Sequence, residues 1–413
     1  MPSWFRAALS AKSRIGRPMY EAVFSTPARL AETPAGRLAR MEADEGHRHS
    51  QDEYAPLDPS HILVGMLLPI GDTLLATPAL SVLRGRFPWA KISVLVSHSN
   101  AGILQDNPNV DALIFVSEPG SEPSFVRFMR GLNGIRKQDY DLVINLSPVG
   151  SIVLRMAQRY HHPLHVEMPP LWWLVGTRSR TFRARHAVDH YLRAIVSILD
   201  HRLTDEERQP RLYLTARDRS AARRLLRSCD LSPANLLIAM HVGGDGFNGR
   251  KRWAPQRFAE VANALIEKYS AHVLLIGGKD DVALSEEVAA LIPHNATVVA
   301  GRTSLKETGA LIEMSALFIG NDSCPLHIAA AVGTPAVGIF GPSNIEQFHP
   351  IGKRSYRHRI VHSNLSCAPC FNFIGNDAPW LPKPCHAGAC LNAISSDEVA
   401  QAAIELLQDP RER

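Results

Sequence analysis

The stretch from 316 to 342, ALFIGNDSCPLHIAAAVGTPAVGIFGP, leaves a chain few ways to fold. It reads as an apolar strand over 316–320, a polar turn of Asn321, Asp322 and Ser323, a short helix over 325–332, a Gly-Thr-Pro stop and a second apolar strand over 336–340. Two short apolar runs flanking a compact helix predict an α/β unit with a parallel sheet. Such sheets bind ligands where strands end and helices begin, because the first helical N–H groups lack internal partners and attract anions. Asp322 and Ser323 stand at that point, where capping the helix is the alternative role for either.

The same alternation recurs along most of the chain. ILVGMLL (62–68) predicts a buried strand, PIGD (69–72) a tight turn, and the run 73–87 a helix with apolar positions at helical spacing. KISVLVS, ALIFV and DLVINLS supply further strands, and the amphipathic helix 186–199 closes a first unit. LLIAMHV opens a second set, continued by HVLLIGG, ATVVAG, ALFIG and AVGIF, with a final helix near 396–407. At 413 residues the chain exceeds what one hydrophobic core usually serves, so two domains are expected. We read 1–58 as a weakly ordered extension, 59–200 and 236–395 as two doubly wound Rossmann-like domains facing a cleft, 201–235 as a linker, and 396–413 as a C-terminal helix and tail.

Composition excludes several classes. With 45% hydrophobic and 21% charged residues this is an ordinary globular chain, and no apolar run approaches the ~20 residues needed to span a bilayer. Arg6, Lys12, Arg14 and Arg17 interrupt every short apolar run at the N-terminus, which argues against a signal peptide and for a cytoplasmic address. The same segment carries Trp4, Phe5, Leu9, Ile15 and Tyr20 with no acidic residue, a composition suited to an anionic inner-membrane surface as well as to a disordered arm. The net charge of +5, spread with mixed sign, argues against nucleic acid as a partner.

Three loops carry candidate chemistry. Gly71-Asp72 follows the first strand and so faces the cleft, either as a site residue or as the cap of a helix beginning at Thr73. The run from His241 to Trp253 follows the second domain's first strand. Its Gly243 and Gly244 backbone and nearby Lys251 suit a diphosphate, with Arg250 and Arg252 as further cations. Asp280 and Asp281 follow a Gly-Gly turn, where they reach a ribose or cap the next helix. The chain's one Asp-x-Asp, Asp139-Tyr140-Asp141, precedes a strand and receives no role.

These motifs together resemble glycosyltransferase family 9, the lipopolysaccharide heptosyltransferases, over about 60–408. The matching residues are Gly71, Asp72, Leu74, Thr77, Pro78, Ala79, Leu80, Phe87 and Pro88; Lys251 and Trp253; and Asp322, Ser323, His327, Ala329, Ala330, Gly333, Pro335, Phe340, Gly341 and Pro342. Cys324 departs from the pattern by standing where the family usually has glycine. The resemblance implies the GT-B architecture and an inverting, metal-independent transfer of heptose from ADP-heptose to a lipopolysaccharide core acceptor. It implies Asp72 as general base and Lys251 as counter-charge to the departing diphosphate. Gly243, Gly244, Lys251, Asp322, Ser323, Cys324 and His327 are then the donor site. Gly71 with the basic loop Arg178, Arg180, Arg183 and Arg185 is the acceptor site, suited to an anionic glycolipid.

Cys367, Cys370, Cys385 and Cys390 are spaced as a four-thiolate knuckle for a structural zinc or iron, with free thiols or an occasional disulfide as the alternatives; no cofactor is expected for catalysis. Rival readings are a same-fold transferase with another donor, a sugar-nucleotide epimerase, and a non-catalytic assembly protein built on the knuckle.

Overall fold

The computed structural model describes residues 58–115, 138–147, 164–167, 186–199, 202–232, 234–244, 250–353, 355–369 and 388–409, with 133 and 135 as isolated positions. The N-terminal extension and the basic loop 178–185 lie outside the described residues.

The first domain carries β1 (His61–Gly65), α1 (Ile70–Leu75), α2 (Thr77–Arg86), β2 (Lys91–Val96), α3 (Ala101–Leu104), β3 (Ala112–Phe115), β4 (Leu142–Asn145), β5 (Leu164–Glu167) and α4 (Ala187–Leu199). Its sheet is parallel throughout in the order β3-β2-β1-β4-β5. After α5 (Ala216–Arg227) come β6 (Leu237–His241), α6 (Pro255–Tyr269), β7 (His272–Leu275), α7 (Val282–Ala290), β8 (Ala296–Val298), α8 (Leu305–Met314), β9 (Leu317–Asn321), α9 (Cys324–Val332), β10 (Ala336–Phe340), α10 (Ile345–Phe348), β11 (His358–His362), α11 (Ala389–Asn392) and α12 (Ser396–Gln408). The second sheet is also parallel, ordered β11-β10-β9-β6-β7-β8. Two Rossmann-like sheets with helices on their faces make this a GT-B fold.

In both sheets the strand order reverses beside the domain's first strand, between β1 and β4 and between β6 and β9. A crevice opens at such a switch point beyond the carboxyl ends of the strands. The segments that follow β1, β6 and β9 carry Asp72, Lys251 and Asp322, so the topology delivers them to two facing crevices. The second sheet buries both faces: Ile238, Met240, Val273, Leu275, Ile319 and Ile339 pack with Phe258 and Leu265 of α6 and Val399 of α12. Leu237, Ala239, Leu274 and Phe318 point the other way, into a core continuous with that of the first domain.

The helix expected over 73–87 is two helices, and the expected turn at 69–72 is already the first turn of α1. Pro78 has no N–H to return to the Leu74 carbonyl; the Thr77 hydroxyl takes that bond instead, at 2.7 Å. The break re-aims the chain, and Asp72 becomes the third residue of α1 rather than a cap before Thr73. Pro69 occupies the cap position, and no side chain caps this helix.

The segment between the domains is more than a tether. Thr215 and Asp218 close a reciprocal capping box at the start of α5, and Leu212, Ala222 and Leu226 are buried in the shared core. Lys306 of α8, itself buried, donates to Asp106 of the first domain and lies 3.3 Å from Asp218. A buried cation needs such partners, and here they tie α8, α5 and the end of α3 together.

Candidate active site

Trp253 explains how Lys251 is held. The indole is 1% exposed, meets Phe258 edge-on at 5.1 Å, and donates through Nε1 to the Ile394 carbonyl at 3.1 Å. An aromatic pair of this kind contributes about 0.5–1.5 kcal/mol beyond its burial. With Trp253 sunk in the core, Lys251 two residues earlier stands at the rim. Its Nζ donates to Asp322 Oδ2 at 2.6 Å and lies 5.6 Å from the centre of the Phe348 ring.

Asn321, at the end of β9, stitches the loops of the second domain. Its amide donates to the carbonyls of Val242 and Gly243 at 3.1 and 2.7 Å, and its oxygen accepts from the Trp253 N–H at 3.1 Å. Ser323 occupies the N-cap position of α9 but makes no capping bond; its hydroxyl meets His241 Nδ1 at 3.1 Å. The other ring nitrogen of His241 lies 3.4 Å from Asp281 Oδ2. Asp281 also accepts from the Gly278 N–H at 2.9 Å, so it is bound into the loops, while Asp280 is exposed.

The two glycines differ in purpose. A Cβ on Gly243 would lie 2.0 Å from Asp281 Oδ1, so a side chain there cannot coexist with the His241–Asp281 contact. Gly244 has φ +123°, a conformation that side chains disfavour.

His327, one turn into α9, is 5% exposed with Nε2 4.0 Å from Asp322 Oδ1 and Nδ1 unpartnered. Burial pushes its pKa down to about 4, against the pull of Asp322, so the ring is neutral at physiological pH. Cys324 opens α9 directly opposite the first domain: a Cβ on Gly71 would lie 3.7 Å from both its Cα and Cβ. Burial, with Asp72 nearby, pushes the Cys324 thiol up to about 12, so it is a neutral packing group. The position where the sequence departs from the family pattern is thus a contact between the domains.

Asp72 faces this assembly from α1. Its Oδ1 accepts from the Tyr191 hydroxyl of α4 at 2.8 Å. Burial raises its pKa above the usual carboxylate range, opposed by the Tyr191 bond and the Lys251 charge and reinforced by Asp322. A carboxylate that feels Lys251 and Asp322 lies across the cleft from them. The folded chain therefore converges a buried, unusually basic carboxylate, a cation and a second carboxylate, with the start of a helix beside them.

Sequence reading missed Tyr191 and the His241–Ser323–Asp281 chain. Tyr191 had one usable signal, a hydroxyl on the apolar face of an amphipathic helix, since a buried phenol needs a partner. Asp141 accepts from Ser60 and His61 at the amino end of β1, at the end of the sheet away from the cleft. Among the knuckle cysteines, Cys367 is exposed and Cys390 buried; Cys370 and Cys385 lie outside the described residues. Among the described residues no helix is long and apolar enough to cross a membrane.

Comparison with known proteins gives one consistent picture. Residues 128–376 match the model of glycosyltransferase family 9 (heptosyltransferase). Lipopolysaccharide heptosyltransferase 3 of Escherichia coli K12 is 30% identical over 358 residues, covering 80% of this chain and 98% of that protein. Among solved structures, a family 9 glycosyltransferase of Veillonella parvula superposes with a TM-score of 0.67 at 24% identity, covering 86% of this chain and 98% of that one. The ADP-heptose lipopolysaccharide heptosyltransferase II of E. coli superposes at 0.64 and 20% identity, covering 85% and 99%.

Proposed function

The chain belongs to glycosyltransferase family 9, and from that premise we propose that it is an inverting heptosyltransferase moving heptose from ADP-heptose to a lipopolysaccharide core acceptor. One observation carries this reading: a buried carboxylate of raised pKa, Asp72, faces the Lys251–Asp322 pair across a cleft between two Rossmann-like domains. The donor's diphosphate sits at Lys251, Gly243, Gly244 and the start of α9 with Ser323, Cys324 and His327 around it. The 2.6 Å bond to Asp322 positions the Lys251 ammonium at the cleft, where its charge faces the diphosphate. Asp72 takes the proton of the acceptor hydroxyl as its oxygen bonds to the anomeric carbon, while the bond to the diphosphate oxygen breaks on the opposite face. One in-line displacement inverts the anomeric centre, and ADP leaves with its charge met by Lys251. No metal is assigned to this step.

The acceptor side comprises Gly71 and the loop of Arg178, Arg180, Arg183 and Arg185, whose charge suits an anionic glycolipid at the cytoplasmic face of the inner membrane. We assign Cys367, Cys370, Cys385 and Cys390 to one structural zinc or iron, supported by an all-thiolate donor set in C-x2-C and C-x4-C spacing. Elemental analysis that finds no metal in the reduced protein overturns that assignment.

The activity is tested by incubating the protein with ADP-heptose and a purified lipopolysaccharide core acceptor, and following ADP release and acceptor mass. Acceptor gaining one heptose in the inverted configuration is expected. Conversion of the sugar nucleotide without acceptor would favour an epimerase and overturn the reading.

A further inference from the structure

Resting on Asp72 as the base, we propose that Tyr191 is its positioning residue: the phenolic O–H holds Oδ1 and leaves Oδ2 to receive the proton from the acceptor hydroxyl. Tyr191 comes from α4, and it is 1% exposed within the same core as Val188, Leu192 and Ile195. Phenylalanine would fill that volume without bringing a hydroxyl into an apolar environment. A phenol there requires a partner, and the partner is the one carboxylate of α1, at 2.8 Å.

The bond answers a difficulty that the location of Asp72 creates. Burial disfavours the charged form of a carboxylate, and a base protonated at the working pH cannot act. A full cation bonded to Asp72 would hold it ionised but depress its basicity. A neutral donor does less: it stabilises the carboxylate while leaving it basic enough to take a proton. Tyr191 suits this because burial and the adjacent Asp72 push its own ionisation well above the ordinary phenol, so it remains a donor before and after the transfer. The groups acting on Asp72 are Tyr191 from α4, its own backbone N–H, and Lys251 and Asp322 from the second domain, with the Cys324 thiol of α9 beside it. Of the side chains among these, only that of Tyr191 shares a domain with Asp72, so its hold does not depend on where the second domain stands. During the step the acceptor's proton goes to Oδ2 and the Tyr191 proton stays where it is.

The test reads the ionisation of Asp72 directly. In protein labelled with carboxyl-13C aspartate, the Asp72 signal is identified by its absence from Asp72→Asn and titrated in parent and Tyr191→Phe. The variant keeps the ring and loses the donor. We expect its Asp72 titration, and the acidic limb of kcat/KM with ADP-heptose and lipopolysaccharide core acceptor, to move up by about one pH unit or more, the effect of losing one hydrogen bond to a charged group. ADP affinity by calorimetry should match the parent. An unmoved titration and limb would show a merely structural tyrosine and overturn the proposal.

Site-specific 3-fluorotyrosine at position 191, a more acidic phenol and a stronger donor, should move both quantities down. If Tyr191→Phe does not fold, a fluorinated protein with the parent's values overturns the proposal by itself. An Asp72→Asn enzyme that still turns over would remove the base reading, and this role with it. An inactive Asp72→Asn beside an unmoved limb in Tyr191→Phe would remove the Tyr191 role alone.

Discussion

Replacing Lys251 with alanine should damage stability and donor binding by separate routes, and a second substitution should pull the two apart. The pair spans 2.6 Å, with the Asp322 side chain 5% exposed and that of Lys251 14%. Breaking a fully buried ion pair by removing one partner costs about 3–5 kcal/mol, because the other charge is stranded. Lys251 opens onto the cleft, so water reaches Asp322 once the lysine is gone, and we expect about 2–3 kcal/mol. For a cooperative unit of the second domain's size that is roughly 5–10 °C in Tm. ADP affinity should fall about 10- to 100-fold, the worth of one hydrogen bond to a charged group. In Lys251→Ala/Asp322→Asn the stranded carboxylate is gone, so most of the stability should return while the affinity does not. Thermal denaturation and calorimetric titration with ADP, run on parent, both single variants and the double, read the two effects independently. A double variant as unstable as Lys251→Ala would refute the stranded-charge argument, and one that recovers ADP affinity would refute Lys251 as the counter-charge.

Asp72→Asn should lose at least a hundredfold in turnover, the usual scale of general-base catalysis, while binding ADP like the parent; near-parental turnover would refute the base. Because its carboxyl has a raised pKa in the folded state, the fold binds that proton more tightly than the unfolded chain does. Its contribution to stability therefore declines as pH rises from the ordinary carboxylate value through the folded one. Asp72→Asn should accordingly melt higher than the parent at neutral pH, with the gap closing in acid; a lower Tm at neutral pH would contradict the burial argument. Transfer should in turn fail on acidification at a pH above that of an ordinary carboxylate, which a rate profile checks. Gly243→Ala should cost about 1–3 kcal/mol by overpacking, since its methyl would meet Asp281, and weaken ADP binding; parental stability in urea would show that the loop yields freely.

Much of this molecule is written in short-range pattern. Apolar runs a few residues long, separated by helical spacing, place every described strand of both sheets except the edge strands β5 and β11, because burial on two faces leaves its mark within a handful of neighbours. Right-handed parallel connections then put every loop after a strand on one side of its sheet, so Asp72, Lys251 and Asp322 could be placed at the cleft before any contact was known. Local pattern failed where two local rules competed: the apolar period favoured one helix over 73–87, and the missing N–H of Pro78 divided it.

Other features are decided only when the chain closes on itself. Lys251 and Asp322 are 71 residues apart, and Tyr191 and Asp72 119. Nothing in the neighbourhood of either residue encodes the other. Their charges and hydroxyl are visible in the sequence, but the rise in the Asp72 pKa, the neutrality of His327 and the bonding of Asp281 to His241 all come from burial and from partners supplied by distant strands. The sequence by itself settled which kinds of group stand at the strand ends. The tertiary structure alone decided how much water each keeps and which of them share a proton or a charge, because desolvation and Coulomb energy depend on distance through space rather than along the chain.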